Sequence, residues 1–404
     1  MAMNLTLRCQ TESPQVTGHE QLAVAVAPVH VAFLALCVVP YTLPVLQFLA
    51  SSVKCLRVLV SVPMETDRHW APDWGGLDVR VQRTLTFTRR RTYKQGFNMT
   101  SFLHFPLDTL KLLRRFRPDV IISAQLGFRT MQALLYRLLN PECRLIIWAD
   151  LSQHTEQGVG RLKTAMRRLF LRAADAILVN GSSGARYLRS LGVTAEKLVV
   201  APYVADSHFN TKPSAKDPQI ARRLLYVGQL IERKGLEPFL RSLSKWLDLY
   251  KSESREMWIV GDGPLRRRLE HMKLSPRLRL KFFDNVPYHN LATFYASAGV
   301  FVLPTLADTW GLVVNEAMAA GLPIFGSLYS QAVEELVVNG KNGWTFLPDR
   351  PEQFLRSLKD MLTCPLDALA QMGEAARATV EELTPSYLTS RFLHAIRVAT
   401  GQDL

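Results

Sequence analysis

The stretch that decides the fold is "ADTWGLVVNEAMAAGLPIF", residues 307–325, where two carboxylates, Asp308 and Glu316, stand in otherwise apolar sequence. The residues after Gly311 have the pattern of a buried helix, and Glu316 falls inside it. A buried carboxylate without a partner is costly. We therefore expect Glu316 to have a partner, either elsewhere in the chain or in a ligand.

Apolar, strand-like runs alternate with helix-like runs on both sides of this stretch. Examples are "LRVLVSV" and "RLIIWAD" in the first half and "RLLYVG" and "EMWIVG" in the second. Such alternation predicts a parallel sheet covered by helices on both faces. It occurs twice, and the polar stretch "VADSHFNTKPSAKDPQIA", residues 204–221, reads as a linker between the two units. The predicted fold is α/β, with two doubly wound, Rossmann-like domains facing a central cleft, which is the default ligand site.

Three strand-to-helix turns in the second half carry glycine. Open α/β sheets bind ligands at such turns, beside helix N-termini. The turns are "GQLIERKG" from Gly228 to Gly235, "GDGP" from Gly261 to Pro264, and the loop that contains Asp308. One such turn alone usually reflects turn geometry only, whereas three in this order are specific.

These residues resemble the nucleotide-sugar domain of the retaining glycosyltransferases of family 4, which have the GT-B fold. The family pattern is a glycine turn that ends in Lys-Gly, then G-x-G-P, then E-x7-E followed by A-x-A-x-G-x-P. This chain has Asp308-x7-Glu316 followed by "AMAAGLP", and the resemblance covers about residues 174–350. Residues 1–173 match the family only in general layout.

The resemblance implies a role for each matching residue. Glu316 would accept hydrogen bonds from the two ribose hydroxyls of the donor nucleotide, because a carboxylate accepts two donors at once. Asp308 stands where the family usually has Glu and would contact the transferred sugar. Lys234 would hold the donor diphosphate. Gln229 replaces a family arginine, so Arg233 either takes over that contact or is simply a solvated charge.

The remaining donor residues lie in the same turns. The loop Thr309–Leu312 would offer backbone N–H groups to the diphosphate or the sugar, and the backbone near Pro287 would hold the base. The full set of predicted donor-binding residues is Gly228, Arg233, Lys234, Gly261, Gly263, Pro287, Trp310, Gly311, Leu312 and Glu316. The predicted catalytic residues are Asp308, Lys234 and His154.

The first half departs further from the family. The loop after its first strand, "VVPYTLPVL", lacks the glycines that many relatives have there. Asp150 and His154 fall near the place where relatives have an acceptor-side His or Asp. The alternative for His154 is an exposed loop histidine with no role. We expect an acceptor-side domain at residues 1–205, a nucleotide-sugar domain at 206–385, and a C-terminal helix at 386–404 that packs back on the first domain.

Residues 21–53 contain no Lys, Arg, Asp or Glu and are long enough to span a membrane. Pro28, Pro40 and Pro44 interrupt the segment, and the apolar run 29–39 is rich in β-branched residues. A buried strand followed by a short helix is therefore the prediction, with a membrane span or signal anchor as the alternative.

The net charge of +14 is concentrated in the first half of the chain. Residues 1–205 hold 25 Lys and Arg against 13 Asp and Glu, whereas residues 206–404 hold 24 against 22. Two clusters contribute to the excess, one at Arg89, Arg90, Arg91 and Lys94, and one at Arg161, Lys163, Arg167, Arg168 and Arg172. We expect the first domain to face an anionic membrane surface or a polyprenyl diphosphate acceptor. Solvated basic faces are the alternative.

The five cysteines are scattered without a C-x-x-C pair, which argues against a disulfide framework or zinc site and fits a reducing compartment. No D-x-D or H-E-x-x-H motif indicates a metal, and we expect no cofactor besides the nucleotide-sugar substrate. The predicted enzyme is a metal-independent, retaining hexosyltransferase of polysaccharide assembly, cytoplasmic and peripherally attached to the inner face of the plasma membrane. The rival functions are a sugar-nucleotide epimerase and a basic nucleic-acid-binding protein, although no aromatic–basic motif supports the latter.

Overall fold

The computed structural model describes residues 27–65, 71–92, 97–210, 217–251 and 253–402, and it leaves out the side chains of residues 91, 92 and 98–101. Arg91 and Lys94 of the first predicted basic cluster thus lie outside the described side chains.

Two parallel sheets organise the molecule, and each strand pairing within them is parallel. The strands of the first sheet and of a separate antiparallel hairpin are β1 (Ala27–Ala35), β2 (Val53–Val60), β3 (Asp78–Val81), the hairpin strands β4 (Thr84–Thr92) and β5 (Asn98–Pro106), β6 (Val120–Ala124), β7 (Arg144–Ala149), β8 (Ala176–Val179) and β9 (Leu198–Val200). The second sheet contains β10 (Leu224–Val227), β11 (Arg255–Val260), β12 (Leu278–Phe283), β13 (Val300–Leu303), β14 (Ile324–Ser327) and β15 (Gly343–Phe346).

Helices connect the strands and cover both faces of the sheets. They are α1 (Leu43–Ser52), α2 (Thr109–Phe116), α3 (Phe128–Leu139), α4 (Arg161–Ala173), α5 (Ser182–Ser190), α6 (Pro218–Ala221), α7 (Leu236–Leu249), α8 (Arg266–Glu270), α9 (Leu291–Ala296), α10 (Val313–Ala319), α11 (Gln331–Leu336), α12 (Pro351–Thr363), α13 (Leu366–Val380) and α14 (Pro385–Thr400). Two doubly wound α/β units are the result, which confirms the predicted fold class.

The strand orders place one switch point in each sheet. The first sheet runs β3-β2-β1-β6-β7-β8-β9, so the chain reverses its direction of travel between β1 and β6. The second runs β12-β11-β10-β13-β14-β15, with the reversal between β10 and β13. At such a point the loops after two neighbouring strands diverge to opposite faces and leave a crevice at the carboxyl ends, where ligands bind.

Strand β1 confirms the buried-strand prediction for the apolar segment. It pairs with β2 on one side and β6 on the other, and Val31, Ala32 and Leu34 are fully buried. No helix within the described ranges is long and apolar enough to cross a bilayer. Residues 21–26 of the predicted segment lie outside the described residues.

Helix α14 returns to the first sheet. Its apolar face, which includes Leu388, Phe392 and Ile396, is buried in the same core as β1, β7 and α1. Arg391 Nε donates to the carbonyl oxygen of Val200 at 2.9 Å. The last helix of the chain therefore stabilises the first unit, whereas α12 and α13 pack on the second.

Helix α4 corrects the predicted five-cation face. Arg167 lies on the buried side of the helix with Phe170 and is only 5% exposed. It forms an ion pair with Glu156 and donates to the hydroxyl of Tyr187 at 2.8 Å. The prediction was wrong for Arg167 because spacing along a sequence does not show which cation is turned inward to meet a carboxylate from a preceding loop. The other cations of α4 are exposed.

The β4–β5 hairpin and the strands β3 and β15 were not predicted. The hairpin mixes threonine, arginine and aromatic residues without the long apolar run of a buried strand. It extends from the first unit to the turn Glu232–Lys234 of the second, so it joins the two sides of the cleft.

Candidate functional site

Asp308 lies between the two cations that the sequence analysis assigned to the donor diphosphate. Its Oδ2 is 2.5 Å from Lys234 Nζ, and its Oδ1 is 3.5 Å from Arg233 Nη1. Arg233 Nη1 also donates to the carbonyl oxygen of Ala307 at 2.7 Å. The three charged groups thus form one cluster, with Asp308 only 8% exposed.

The second switch point brings this cluster together. Lys234 follows β10 and Asp308 follows β13, and the backbone N–H of Leu306 donates to the carbonyl oxygen of Arg233 at 2.8 Å. Gly235, at φ +65°, ends the first of these turns, and a Cβ there would lie 2.1 Å from the carbonyl oxygen of Pro304. Only glycine permits this approach of the two loops.

The cations control the protonation of Asp308. Burial alone would raise the pKa of its carboxyl, but the charges of Lys234 and Arg233 outweigh burial and hold the pKa below its usual value. Asp308 is therefore an anion at neutral pH, and it neutralises part of the positive charge beside it.

Glu316 has one protein partner. The Tyr295 hydroxyl donates to its Oε2 at 2.6 Å, and no other described residue donates a hydrogen bond to this carboxylate. Glu316 is 3% exposed, and burial raises its pKa to about 7. The helix glutamate is therefore half satisfied by the protein, and Oε1 is left for a ligand.

The other predicted donor residues surround these carboxylates, and glycine packing explains part of the pattern. A Cβ on Gly261, at φ +128°, would lie 2.2 Å from the carbonyl oxygen of Gly228, so the turns after β10 and β11 pack directly on each other. Gly263 similarly approaches the backbone of Leu230. Pro287 starts a short turn that contacts α9, the helix of Tyr295.

The side chain of Trp310, a predicted donor residue, is turned away from the crevice into the core. Its indole is 2% exposed and donates to Asn315 Oδ1 at 2.8 Å, so the ring belongs to the core. Gly311 and Leu312 lead into α10, where Glu316 lies. The buried Trp310 side chain and its hydrogen bond to Asn315 thus hold the loop before α10 against the core.

Two predicted residues of the first unit lie across the cleft from Asp308. The ring of His154, in the loop after β7, is 4.5 Å from the ring of Tyr329, which follows β14. Burial lowers the pKa of His154, so its imidazole is neutral at neutral pH. Asp150 Oδ1 accepts from Asn180 Nδ2 at 2.7 Å, and burial raises the pKa of Asp150.

Sequence reasoning missed the residues that tie the two units together. Gln331 Oε1 accepts from the backbone N–H of Gly184 at 2.7 Å, and its Nε2 donates to the carbonyl oxygen of Thr309 at 2.8 Å. Glu335 accepts from the backbone N–H of Ser182, at the start of α5, at 2.6 Å. The sequence also gave no indication that Tyr295 faces Glu316, because a helix tyrosine in an apolar run usually only packs.

Two family models match the chain, one to each unit. "Glycosyl transferase 4-like domain" matches residues 41–204, and "Glycosyl transferases group 1" matches residues 209–379. The first model covers the unit with His154, and the second covers the unit with Asp308 and Glu316.

Relatives in sequence are glycosyltransferases. A sulfoquinovosyl transferase of Arabidopsis thaliana is 26% identical over 67% of this chain and 54% of its own length. A putative colanic acid biosynthesis glycosyltransferase of Salmonella typhimurium is 28% identical over 52% of this chain and 53% of its own length. The chain spans about half the length of these curated relatives it matches.

Solved structures share the whole fold. Sucrose-phosphate synthase from Thermosynechococcus elongatus superposes with a TM-score of 0.67 at 16% identity, over 91% of this chain and 98% of its own. The Anabaena protein HepE, solved in complex with UDP, gives 0.65 at 16% identity over 91% and 99%. Since the two family models together match residues 41–204 and 209–379, and the neighbours in structure share the two-domain architecture, the chain belongs to the family-4 type of GT-B glycosyltransferases.

Proposed function

We propose that the chain is a retaining glycosyltransferase that moves a hexosyl unit from a nucleotide-diphosphate sugar to a hydroxyl acceptor. The observation that carries the proposal is the cluster of Lys234, Arg233 and Asp308 at the second switch point, with Glu316 on the adjoining helix. Two cations beside a crevice suit a diphosphate, and a buried carboxylate with one free oxygen suits ribose hydroxyls.

The chemistry follows from these contacts. The bond from the anomeric carbon to the diphosphate oxygen breaks, and negative charge develops on the diphosphate as it leaves. The acceptor oxygen bonds to that carbon on the same face, and the hydroxyl proton passes to the leaving diphosphate. Lys234 and Arg233 stabilise that charge, since cations already fixed in place need no reorganisation during the reaction. When the diphosphate binds them, Asp308 is released from part of its pairing and accepts hydrogen bonds from sugar hydroxyls. Glu316 accepts from the ribose through Oε1.

Retention of the anomeric configuration and independence from metal rest on the resemblance of Asp308-x7-Glu316 to the family pattern. The printed names of relatives, such as colanic acid biosynthesis glycosyltransferase and lipopolysaccharide core biosynthesis glycosyltransferase, favour a saccharide acceptor in polysaccharide assembly. We assign the acceptor to the lipid-linked class, which places the reaction at the cytoplasmic face of a membrane.

The surface of the first unit supports peripheral contact with an anionic membrane. On α4, Leu162 is 78% and Leu169 is 60% exposed, and Arg161, Arg168 and Arg172 are exposed around them. The neighbouring α3 exposes Leu138 and Leu139 as well. Apolar side chains interspersed with cations are the pattern of a helix that lies in the interface of an anionic bilayer.

The test of the reaction uses the full chain with UDP-, GDP- and ADP-hexoses and a lipid-linked saccharide acceptor. Transfer, with the donor's anomeric configuration in the early NMR spectrum and full activity in EDTA, is expected. Inversion would contradict the retaining assignment, and loss of activity in EDTA would contradict metal independence. Release of an epimerised sugar nucleotide from donor alone would favour the epimerase instead.

The test of membrane contact is flotation with phosphatidylglycerol vesicles. We expect binding at low salt and release at high salt, because the attraction is screened within a Debye length of about 8 Å at physiological salt. Changing Arg161, Arg168 and Arg172 to Glu should abolish flotation. The matched control changes three exposed cations of the second unit, Arg267, Arg279 and Lys359, to Glu, and equal loss in both variants would contradict the assignment to α4.

A further inference from the structure

Arg129 occupies the crevice of the first sheet. It is the second residue of α3, which follows β6, and its guanidinium reaches the loop after β2 across the switch point between β1 and β6. The residue is 7% exposed. Arg129 therefore lies at the start of the helix after β6, which is the first unit's counterpart of the connection after β13 that carries Asp308 and Glu316 in the second unit.

The contacts of Arg129 are neutral. Its Nη1 donates to Ser61 Oγ at 2.9 Å and its Nη2 to Gln125 Oε1 at 3.1 Å, while its Nε is buried without a hydrogen-bond partner among the described residues. Glu65 is the carboxylate that influences it, from beyond ion-pair distance. Burial lowers the pKa of Arg129 to about 10, so the side chain is still a cation at neutral pH.

The other buried arginines of the described chain have a carboxylate each. Arg167 pairs with Glu156, and Arg255 Nη1 is 3.2 Å from Glu253 Oε2. A buried charge without a counter-ion costs several kcal/mol unless something neutralises it. Arg129 is thus the buried arginine whose counter-ion the described chain does not supply.

The backbone directly before α3 is open to solvent beside this cation. Gly127, directly before α3, is exposed, and a Cβ added there would meet no atom within 4 Å. Gly127 is also the N-cap residue of this 12-residue helix and supplies no side-chain hydrogen bond to the backbone N–H groups of its first turn, which lack partners within the helix. Gln125 beside the guanidinium is exposed as well.

The position also connects to the donor site. Phe128, next to Arg129, has its ring 5.0 Å from that of Phe105 on β5, and β5 contacts the turn Glu232–Lys234. An anion at Arg129 would therefore be bound on the acceptor side of the cleft, beside the hairpin that reaches the donor cations.

We propose that Arg129, Ser61 and the first turn of α3 form a binding subsite for a phosphate or diphosphate group carried by the acceptor. The proposal rests on the proposed function for the identity of the acceptor, but the anion site itself does not depend on it. The shared chemistry is a phosphoryl anion, whose sources are a lipid-linked diphosphate and free inorganic phosphate.

The anion site is tested by calorimetry with inorganic pyrophosphate as the probe, in full-length Lys234→Ala protein so that the donor cations contribute less. We expect binding that is weakened at least 10-fold by Gln125→Glu. That change places a carboxylate 3.1 Å from the guanidinium, at an exposed position, and so supplies the missing counter-ion without removing buried groups. Arg129→Gln should weaken binding equally, whereas Arg115→Gln, on the exposed face of α2, should not.

The proposed anion site would be overturned if the protein did not bind pyrophosphate, or if Gln125→Glu and Arg129→Gln left the pyrophosphate affinity unchanged. The source of the phosphoryl anion is decided by comparing the affinities of the same proteins for farnesyl diphosphate and for pyrophosphate. Tighter binding of farnesyl diphosphate that Gln125→Glu removes supports the acceptor, and equal affinity overturns the assignment to an acceptor while leaving an inorganic anion site. UDP titration of the wild type separates the two hypotheses, because failure to bind UDP would contradict the proposed function with the Arg129 result intact.

Discussion

The two switch points share a strand topology, but their cations are paired differently. In the second unit, Lys234 and Arg233 both form ion pairs with Asp308, so part of their positive charge is already neutralised by the protein. In the first unit, the hydrogen-bond partners of Arg129 are a hydroxyl and an amide, and Glu65 acts on it only from beyond ion-pair distance. An anion that bound at the second site would compete with Asp308 for the cations, whereas at Arg129 it would meet a cation without an ion-pair partner among the described residues.

Under the proposed function, this difference would separate catalysis from binding. Pairing with Asp308 would reduce the ground-state attraction of the second site for a diphosphate but keep the cations fixed for the charge that develops as the diphosphate leaves. The subsite proposed at Arg129 would instead contribute to affinity, because its cation has no ion-pair partner among the described residues. Variants that change the charge at each point should therefore affect different kinetic parameters.

The largest effect is expected from Lys234→Ala. Removing the ammonium eliminates the stabilisation of the leaving diphosphate and leaves Asp308 with Arg233 alone. We expect turnover to fall by roughly 100-fold or more, the scale of losing one preorganised charge-stabilising donor. Steady-state transfer kinetics measure it, with the exposed Lys245→Ala on α7 as the matched control. Near-normal turnover in Lys234→Ala would remove Lys234 from the mechanism.

Asp308→Asn makes the second switch point resemble the first, because it keeps the shape and removes the negative charge. Turnover should fall by roughly 10- to 100-fold, as expected when a charged hydrogen-bond partner of the substrate is lost. Pyrophosphate binding at this site should tighten, since no carboxylate then competes for Lys234. Calorimetry beside kinetics resolves the two effects, and weaker pyrophosphate binding would contradict the competition between Asp308 and the ligand.

The sequence predicted the second switch point better than the first, for a physical reason. Lys234 and Asp308 belong to turns, and Glu316 to the helix that follows, whose glycines and spacing are local, and parallel strands bring these segments to one edge. Tyr295 and Gln331 were missed because their roles depend on contacts between distant segments. The role proposed for Arg129 could not be predicted either. It depends on the absence of an ion-pair partner among residues from several distant loops, and spacing along the sequence does not show such an absence.

Prediction of the first half was limited in the same way, because side-chain orientation depends on contacts between distant segments. Arg167 shares a helix face with Phe170 and Leu171 at positions i, i+3 and i+4, a spacing that marks the buried face. The sequence alone did not show that Glu156 would meet it there. The β4–β5 hairpin was missed because its strands lack the long apolar run of a buried strand and no two-residue turn motif joins them.

Glu316→Gln should weaken nucleotide binding and stabilise the ligand-free protein at neutral pH. A glutamine accepts less strongly from ribose hydroxyls, so affinity for the nucleotide should fall by about 10-fold. In the wild type the pKa of Glu316 is raised to about 7, so the folded state holds a proton that the unfolded state releases above its usual value near 4.5. The free energy of unfolding contributed by this group is fully present below that lower value and is lost as pH rises to about 7.

Glutamine removes this loss of stability. We expect Glu316→Gln to be more stable than the wild type above pH 7, on the order of 3 kcal/mol, with the difference vanishing below pH 4. Denaturant titrations at several pH values measure it. Nucleotide affinity of the wild type should rise with pH across the same range, because the ionised carboxylate is the better acceptor. Wild-type affinity for UDP in Glu316→Gln would show that this carboxylate does not hold the nucleotide.

The smallest effect concerns a surface contact between α5 of the first unit and α11 of the second. Arg186 on α5 forms an ion pair with Glu334 on α11 and donates to Gln153 Oε1 at 3.2 Å. Because the Arg186 side chain is 44% exposed, the pair is screened, and Arg186→Ala should cost about 0.2–1 kcal/mol. The loss should disappear at high salt, and Arg189→Ala, exposed on the same helix, serves as the control. The buried contacts of Gln331 remain in the variant, so turnover should change less than twofold while KM values for donor and acceptor shift together. A large fall in turnover with unchanged stability would instead show that the relative position of the two switch points depends on this surface pair.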